Sequence, residues 1–202
     1  MVKSDRKGIP LVVVLSGPSA VGKDAVISRM KQKFGGFHHV VTATTRPQRR
    51  GEVDGQDYYF LSKHQFEEGI KQDKFLEYAE VYGNFYGVLK SEVKKALQKG
   101  EDVILKVDVQ GAATLRKTIP DSVFIFLIPS SLNDLADRLT NRNADPEDSI
   151  NLRVGKAREE LGYARMFDYQ VVNVKGRVEK AVDDIKEIID SNRGKRRAVR
   201  II

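Results

Sequence analysis

Three residues at a fixed spacing give this sequence its clearest chemical signal. Gly17, Gly22 and Lys23 satisfy the pattern G-x-x-x-x-G-K within the stretch GPSAVGK. Glycines let backbone N–H groups curl around phosphate oxygens, a helix N-terminus adds partial positive charge, and the lysine reaches the outer phosphates. The apolar run Leu11–Leu15 precedes the pattern and a helical pattern begins at Ala25. The segment predicts a phosphate-binding loop between a buried parallel strand and a helix.

The residue after the loop lysine departs from this pattern. Ser or Thr usually stands there and its hydroxyl binds Mg²⁺, whereas this chain has Asp24. Without the flanking strand and helix, a plain glycine turn would be the alternative. The apolar run and the helix favour the phosphate-binding function.

Composition places the chain among globular proteins of one large domain or of a core with inserts. Its 202 residues contain no Cys, and 35 basic residues against 28 acidic ones give a net charge of +7. We therefore expect no disulfide framework, no membrane partner and a cytoplasmic location. Much of the positive charge lies in the segment Arg193–Ile202. A solvated, frayed tail is favoured there over an RNA or membrane contact.

The segment from Thr42 to about Ser91 is polar, basic and rich in turn signals. Short strands are expected in it at Asp57–Leu61, Phe75–Val81 and Phe85–Tyr86. Its arginines could form a solvated surface turn. Guanidinium groups beside tyrosine hydroxyls also suit bidentate capture of a phosphate, and we favour that interpretation because the loop predicts a second phosphate nearby.

Two further stretches carry candidate polar groups. Asp108 ends a predicted strand, where it could bind Mg²⁺ through water, bind an acceptor group or cap the following helix. Arg138, Arg142, Arg153 and Arg158 lie in a predicted helical hairpin. They fit either a solvated helix face or a mobile lid whose arginines close over transferring phosphates, and we favour the lid.

The order of these stretches resembles the guanylate kinase family, whose members move a phosphate from ATP to GMP. The resemblance rests on SGPSAVGK, TTRPQRRGEVDGQDYYF, FLEYAEVYGNFYG, VDVQGA, RLTNRNADPEDSINLR and FDYQVVN, which cover nearly the whole chain. It implies an α/β fold with a three-layer P-loop core around a parallel sheet. Residues 1–41, 92–131 and 159–202 form that core, 42–91 a small strand-rich GMP-binding insert, and 132–158 a helical lid.

The resemblance also implies roles for individual residues. The predicted ATP-binding residues are Gly17, Pro18, Ser19, Ala20, Val21, Gly22, Lys23, Asp24, Ala25 and Asn173. The predicted GMP-binding residues are Thr42, Arg46, Arg49, Tyr58, Glu77, Tyr86, Val88 and Asp108, with Glu77 accepting hydrogen bonds from guanine. The predicted catalytic residues are Lys23, Arg46, Arg138, Arg142 and Arg153. Asp108, through water, and Asp24 are the candidate carboxylates for a metal.

Three positions depart from the family pattern. Asp24 replaces a small residue, Lys106 stands where Asp or Glu is common, and Val88 replaces a hydroxyl residue that can meet the guanine. The first two departures have opposite charges. We therefore predict an ion pair between Asp24 and Lys106 beside the Mg²⁺ site.

The resemblance implies a kinase that phosphorylates GMP and dGMP with ATP as co-substrate and Mg²⁺ as cofactor. Catalysis would consist of positioning and charge neutralisation, because the acceptor phosphate is already an anion. The alternatives are a non-catalytic interaction module of the same family and a kinase of another phosphorylated acceptor. The expected partners are ATP and GMP rather than nucleic acid, and the expected state is a monomer or homodimer.

Overall fold

The computed structural model describes residues 8–81, 83–140 and 147–201, and the side chains within them except those of 139–140 and 147–153. The strands are β1 Val12–Ser16, β2 Phe37–His39, β3 Thr42–Thr44, β4 Tyr58–Phe60, β5 Phe75–Val81, β6 Asn84–Leu89, β7 Asp102–Lys106, β8 Val123–Pro129 and β9 Tyr169–Asn173. The helices are α1 Lys23–Lys33, α2 Lys63–Lys71, α3 Lys90–Gln98, α4 Val109–Thr118, α5 Leu132–Thr140, α6 Glu147–Leu161 and α7 Val178–Asn192.

Five of the strands form a parallel sheet in the order β2-β7-β1-β8-β9. Strand β1 lies at its centre, and all five of its residues are buried. Val12 and Val14 pack on one face of the sheet, and Val13 and Leu15 pack on the other with α1 and α7. This alternation follows from the two-residue period of a strand. The predicted α/β class with helices on both faces of a parallel sheet is confirmed.

The four remaining strands form a second sheet in the order β4-β3-β6-β5. Strands β3 and β4 are parallel, whereas β6 pairs antiparallel with β3 and with β5. Phe66 of α2 is fully buried against this sheet and stacks on Phe75 and Phe85. The predicted strand Phe85–Tyr86 is longer than expected and runs over Asn84–Leu89. Its extra residues pair along β5, a long-range contact that local sequence does not encode.

The C-terminal residues are largely solvated, as expected, but they are not frayed. Arg193 lies 2.6 Å from a carboxylate oxygen of Asp102, whose side chain is only 5% exposed. The second oxygen of that carboxylate accepts a hydrogen bond from the backbone N–H of Leu11. Val199 and Ile201 pack against the core on the β1–α4 side. The tail is therefore held against the core at Arg193, Val199 and Ile201, while Lys195, Arg197 and Arg200 stay exposed.

No helix in the described ranges is both long enough and apolar enough to cross a membrane.

Candidate active site

The loop between β1 and α1 has backbone conformations that favour glycine at two positions. Gly17 has φ +147° and Gly22 has φ +98°. A Cβ on Gly17 would lie 2.5 Å from the carbonyl oxygen of Leu127, and one on Gly22 would lie 2.5 Å from the side-chain nitrogen of Asn173. Residues with side chains fit neither position without strain. The loop leads directly into α1, which begins at Lys23, so the partial positive charge of that helix's N-terminus faces the loop.

Two side chains hold the loop from outside. Arg138 and Asn173 each donate a hydrogen bond of 2.8 Å to the carbonyl oxygen of Val21. Arg138 also donates to the carbonyl oxygen of Asn173 and pairs with the carboxylate of Asp134. Asn173 is buried and does not line the cleft. These contacts give both residues a part in fixing the shape of the phosphate loop.

The ammonium of Lys23 is folded back onto its own loop. It donates to the carbonyl oxygens of Gly17 at 2.6 Å and Pro18 at 3.1 Å. Burial lowers the pKa of Lys23, while the carboxylates of Glu160 and Asp24 oppose that effect. Negatively charged phosphate oxygens would bind this ammonium more strongly than the two neutral carbonyl groups that it now contacts.

Glu160 is a residue that sequence reasoning missed. Its carboxylate, on α6, accepts a 2.9 Å hydrogen bond from the backbone N–H of Ser19 in the phosphate loop. Burial raises the pKa of Glu160, and this hydrogen bond opposes the rise. The neighbouring Glu159 is exposed, and composition alone does not distinguish the two. Only the packing of α6 against the loop decides which carboxylate lies there.

The second sheet carries the arginine and tyrosine side chains on the other side of the cleft. Arg46 pairs with Glu52 at 2.7 Å, and its guanidinium lies 5.3 Å from the ring centre of Tyr58. The rings of Tyr58 and Tyr86 are 6.1 Å apart. A second oxygen of Glu52 accepts from the backbone N–H of Arg49. Glu52 therefore orders the arginine turn, a role that its sequence position did not indicate.

Glu77 on β5 is a buried carboxylate at one end of the cleft, and it is 5% exposed. Burial, and then the nearby charge of Asp108, raise its pKa to about 8. A Cβ on Gly111 would lie 2.4 Å from its carboxylate, so the missing side chain at that position makes room for it. An acid held in this way favours a ligand that presents N–H donors, because such donors stabilise its ionised form.

Asp108 caps helix α4, which is one of the roles predicted for it. Its carboxylate accepts a 2.8 Å hydrogen bond from the backbone N–H of Gly111. Burial raises the pKa of Asp108, and its hydrogen bonds and the nearby Lys23 oppose the rise. The cap fixes the carboxylate at the carboxyl end of β7, on the floor of the cleft.

The predicted ion pair between Asp24 and Lys106 is confirmed. The ammonium of Lys106 lies 2.6 Å from a carboxylate oxygen of Asp24 and 3.3 Å from the hydroxyl of Tyr58. Lys106 ends β7 and Asp24 belongs to the first turn of α1. The two family departures therefore compensate each other in space.

Most of these groups line one cleft of about 830 Å³ between the two sheets. The predicted site residues that line it are Gly17, Ser19, Ala20, Val21, Gly22, Lys23, Asp24, Ala25, Thr42, Arg46, Arg49, Tyr58, Glu77, Tyr86, Asp108 and Arg138. The buried hydroxyl of Thr42 has no hydrogen-bond partner in the described structure. Such an orphaned group in a cleft wall fits a polar ligand.

Some predicted site residues lie elsewhere. Pro18 and Val88 do not line the cleft, and the Val88 side chain is fully buried in the core. Val88 is the cross-strand partner of Glu77, and its backbone hydrogen-bonds to the Glu77 carboxylate. Arg142 lies outside the described residues, and for Arg153 only the helical backbone of α6 is described.

The described residues hold no group of three or more His, Cys, Asp or Glu side chains that could enclose a metal ion. Mg²⁺ does not require such a cage, because it keeps several waters and binds through one or two carboxylates and substrate phosphates. Asp108 fits that limited role at the cleft floor. Asp24 fits it less well, because its carboxylate already pairs with Lys106.

Comparisons with known proteins agree with this geometry. A guanylate kinase from Lactobacillus johnsonii is 48% identical over 182 residues, which are 90% of this chain and 88% of that protein. Guanylate kinase 2, chloroplastic/mitochondrial, from Oryza sativa is 47% identical over 187 residues, which are 92% of this chain and 66% of that protein.

A solved structure shows the same fold. The crystal structure of guanylate kinase from Anaplasma phagocytophilum has a TM-score of 0.76 and 29% identity, covering 93% of this chain and 88% of that one. The family model described as guanylate kinase matches residues 10–192. The chain therefore belongs to the guanylate kinase family.

Proposed function

We propose that this protein transfers the terminal phosphoryl group of ATP to GMP or dGMP. The observation that carries the proposal is the composition of one cleft. A phosphate loop with Lys23 forms one wall, while the opposite wall presents Arg46, Tyr58 and the buried carboxylate of Glu77. A donor phosphate and a guanine nucleotide would therefore meet between the two sheets.

The loop accounts for the ATP side of the reaction. Its backbone N–H groups and Lys23 would bind the outer phosphates, and the contacts of Arg138 and Asn173 to Val21 would keep those donors in place. Entry of a phosphate would displace the carboxylate of Glu160 from the N–H of Ser19. The loop would then exchange an internal anion for the substrate.

The second sheet accounts for the GMP side. Arg46, Arg49, Tyr58 and Tyr86 would bind the acceptor phosphate, and Glu77 would accept hydrogen bonds from the guanine N1–H and 2-amino groups. Adenine lacks this pair of donors, so it cannot stabilise the ionised form of the buried Glu77 as guanine would. This carboxylate supplies the preference for guanine.

The chemistry needs no protein nucleophile, because the acceptor phosphate is already an anion. Lys23 and the cleft arginines would neutralise charge that develops on the transferring group, and closure of the lid would exclude water. Mg²⁺ carried by the ATP phosphates would supply further charge neutralisation, with Asp108 as its nearby carboxylate. Arg142 and Arg153 keep their predicted roles in the lid.

Kinetics of a single variant test the proposal. The unsubstituted protein should release ADP only when GMP or dGMP accompanies ATP and Mg²⁺. Lys23→Met should lower kcat by at least about 100-fold, the loss expected for a group that stabilises transition-state charge. GMP affinity measured by calorimetry should stay unchanged. Equal turnover by the variant would contradict the assigned role of the loop.

The remaining predictions concern the protein as a whole. The division into core, insert and lid, the cytoplasmic location and the monomeric or homodimeric state are proposals that accompany this function. Analytical ultracentrifugation with and without nucleotides would test the oligomeric state.

A further inference from the structure

The ammonium group of Lys106 lies in the cleft but has no role in the phosphoryl transfer proposed for it. Lys106 ends β7 and pairs in register with Leu15 of β1, directly beneath the phosphate loop. Its side chain is 11% exposed, yet it lines the cleft. A nearly buried ammonium at that point lies between the loop wall and the wall formed by the second sheet.

The contacts of this ammonium join the two walls. Asp24 belongs to the helix that follows the phosphate loop, and its carboxylate lies 2.6 Å from the ammonium. Tyr58 belongs to the second sheet, with its hydroxyl 3.3 Å and its ring centre 4.7 Å from the same nitrogen. Lys106 is therefore a bridge between the ATP side and the GMP side.

The charge of Lys106 is secured by its neighbours. Burial alone would lower its pKa, but Asp24 and Tyr58 raise it above the ordinary value. Burial, followed by the charge of Lys106, holds the pKa of nearby His39 at about 3, so that this imidazole adds no positive charge at neutral pH. The ion pair with Asp24 supplies the opposite charge that a nearly buried ammonium needs.

Hydrogen-bond chemistry then fixes the direction of the Tyr58 hydroxyl. An ammonium can only donate, so the hydroxyl oxygen must accept from Lys106. The hydroxyl proton is left to point away from Lys106. A phenol that already accepts from a cation is also a stronger donor in turn.

We propose that Lys106 is a positioning residue for the acceptor phosphate, holding the Tyr58 hydroxyl as a donor to that phosphate. This inference rests on the proposed function, because it takes the acceptor to be a nucleoside monophosphate. It assigns Lys106 more than neutralisation of Asp24. Lys106 acts by positioning Tyr58, and it affects binding of the phosphate rather than binding of the base.

The test compares binding of GMP with binding of guanosine, which lacks the phosphate. The unsubstituted protein serves as the parent, and Asp24→Asn combined with Lys106→Met is the companion variant that removes both charges of the pair. Lys106→Met should weaken GMP binding by about 10-fold, as expected for loss of a charge-assisted contact. Guanosine binding should not change. Isothermal titration calorimetry gives both affinities, and thermal unfolding checks that each variant is folded.

A double-mutant cycle tests the route through Tyr58. In a Tyr58→Phe background, Lys106→Met should have little further effect on GMP affinity. Lys90→Met is the matched control, because Lys90 forms a 2.6 Å pair with Asp73 outside the cleft. The control should bind GMP as the unsubstituted protein does.

Three results would overturn the inference while leaving the proposed function intact. Unchanged GMP affinity in the Lys106→Met variant would show that Lys106 only neutralises Asp24. Equal losses for GMP and guanosine would show a general disturbance of the pocket. Additive effects with Tyr58→Phe would show that Lys106 acts independently of Tyr58. If the unsubstituted protein binds no GMP at all, the proposed function fails and the inference fails with it.

Discussion

Replacing Glu77 by Gln removes a buried carboxylate that faces the expected position of the guanine base. The free protein holds this acid largely protonated at neutral pH, since burial and then Asp108 raise its pKa to about 8. Guanine binds through N–H donors and therefore requires the ionised form. GMP binding must then release a proton, and affinity must rise with pH until Glu77 is ionised.

The size of this effect follows from the pKa. With a pKa of about 8, roughly 9% of Glu77 is ionised at pH 7 and roughly 76% at pH 8.5. GMP affinity should therefore rise about eightfold over that interval. The GMP phosphate has a second pKa near 6, so its own titration is nearly complete above pH 7.

Glu77→Gln should remove this pH dependence. Losing hydrogen bonds to a charged acceptor costs about 2 kcal/mol, or about 30-fold in affinity at pH 8.5. At pH 7 the difference should shrink to about fourfold, because the unsubstituted protein must first ionise its own acid. Calorimetry at three pH values, in buffers of different ionisation enthalpy, gives both the affinity and the proton released.

Two results would refute this account. A GMP affinity that does not change between pH 7 and 8.5 would show that Glu77 is not the base acceptor or is already ionised. A variant that keeps the same pH dependence would place the titrating group elsewhere. Stability gives an independent check. A raised pKa means that the folded state binds the proton more tightly, so Glu77 should destabilise the protein progressively from pH 4.5 to 8, and Glu77→Gln should not.

Three further predictions concern the loop and the tail. Gly22→Ala should weaken ATP binding at least about tenfold in calorimetry, because its Cβ would displace the Asn173 side chain that holds the loop. Glu160→Gln should lower the KM for ATP severalfold in steady-state assays, because it removes an anion from the phosphate site, whereas Glu159→Gln should not. Arg193→Ala should lower the free energy of unfolding in urea by about 2 kcal/mol, less than for a fully buried pair because Arg193 is 39% exposed. Tighter ATP binding by Gly22→Ala would contradict the first prediction, and a raised KM for ATP in Glu160→Gln would contradict the second. An unchanged urea midpoint for Arg193→Ala would contradict the third.

Features that depend on residues close together in the chain could be predicted from the sequence. The buried strand, the two glycines and Lys23 lie within thirteen residues, and each has a local physical meaning, so the loop and its helix followed directly. The Asp24–Lys106 pair was also predictable, although 82 positions separate the two residues. Two charges that both break the family pattern with opposite signs suggested contact.

Features that depend on packing between distant elements could not be predicted. Nothing near Glu160 indicates that its carboxylate reaches the N–H of Ser19, a contact across 141 positions. The basic tail has the composition of a solvated segment, yet Arg193 finds the buried carboxylate of Asp102. The position of the Val88 side chain could not be predicted either, because strand pairing decides which face of the sheet a side chain occupies. The Val88 side chain lies in the core and not in the cleft.

The most direct test of the central claim is the choice of acceptor. ADP release from ATP and Mg²⁺ would be measured by a coupled assay with GMP, dGMP, AMP, UMP and CMP offered separately. The cleft, with Lys23 facing Arg46, Tyr58 and Glu77, predicts turnover with GMP and dGMP and none with the other three. Turnover with AMP, UMP or CMP, or none with any acceptor by a folded protein that binds ATP, would contradict it.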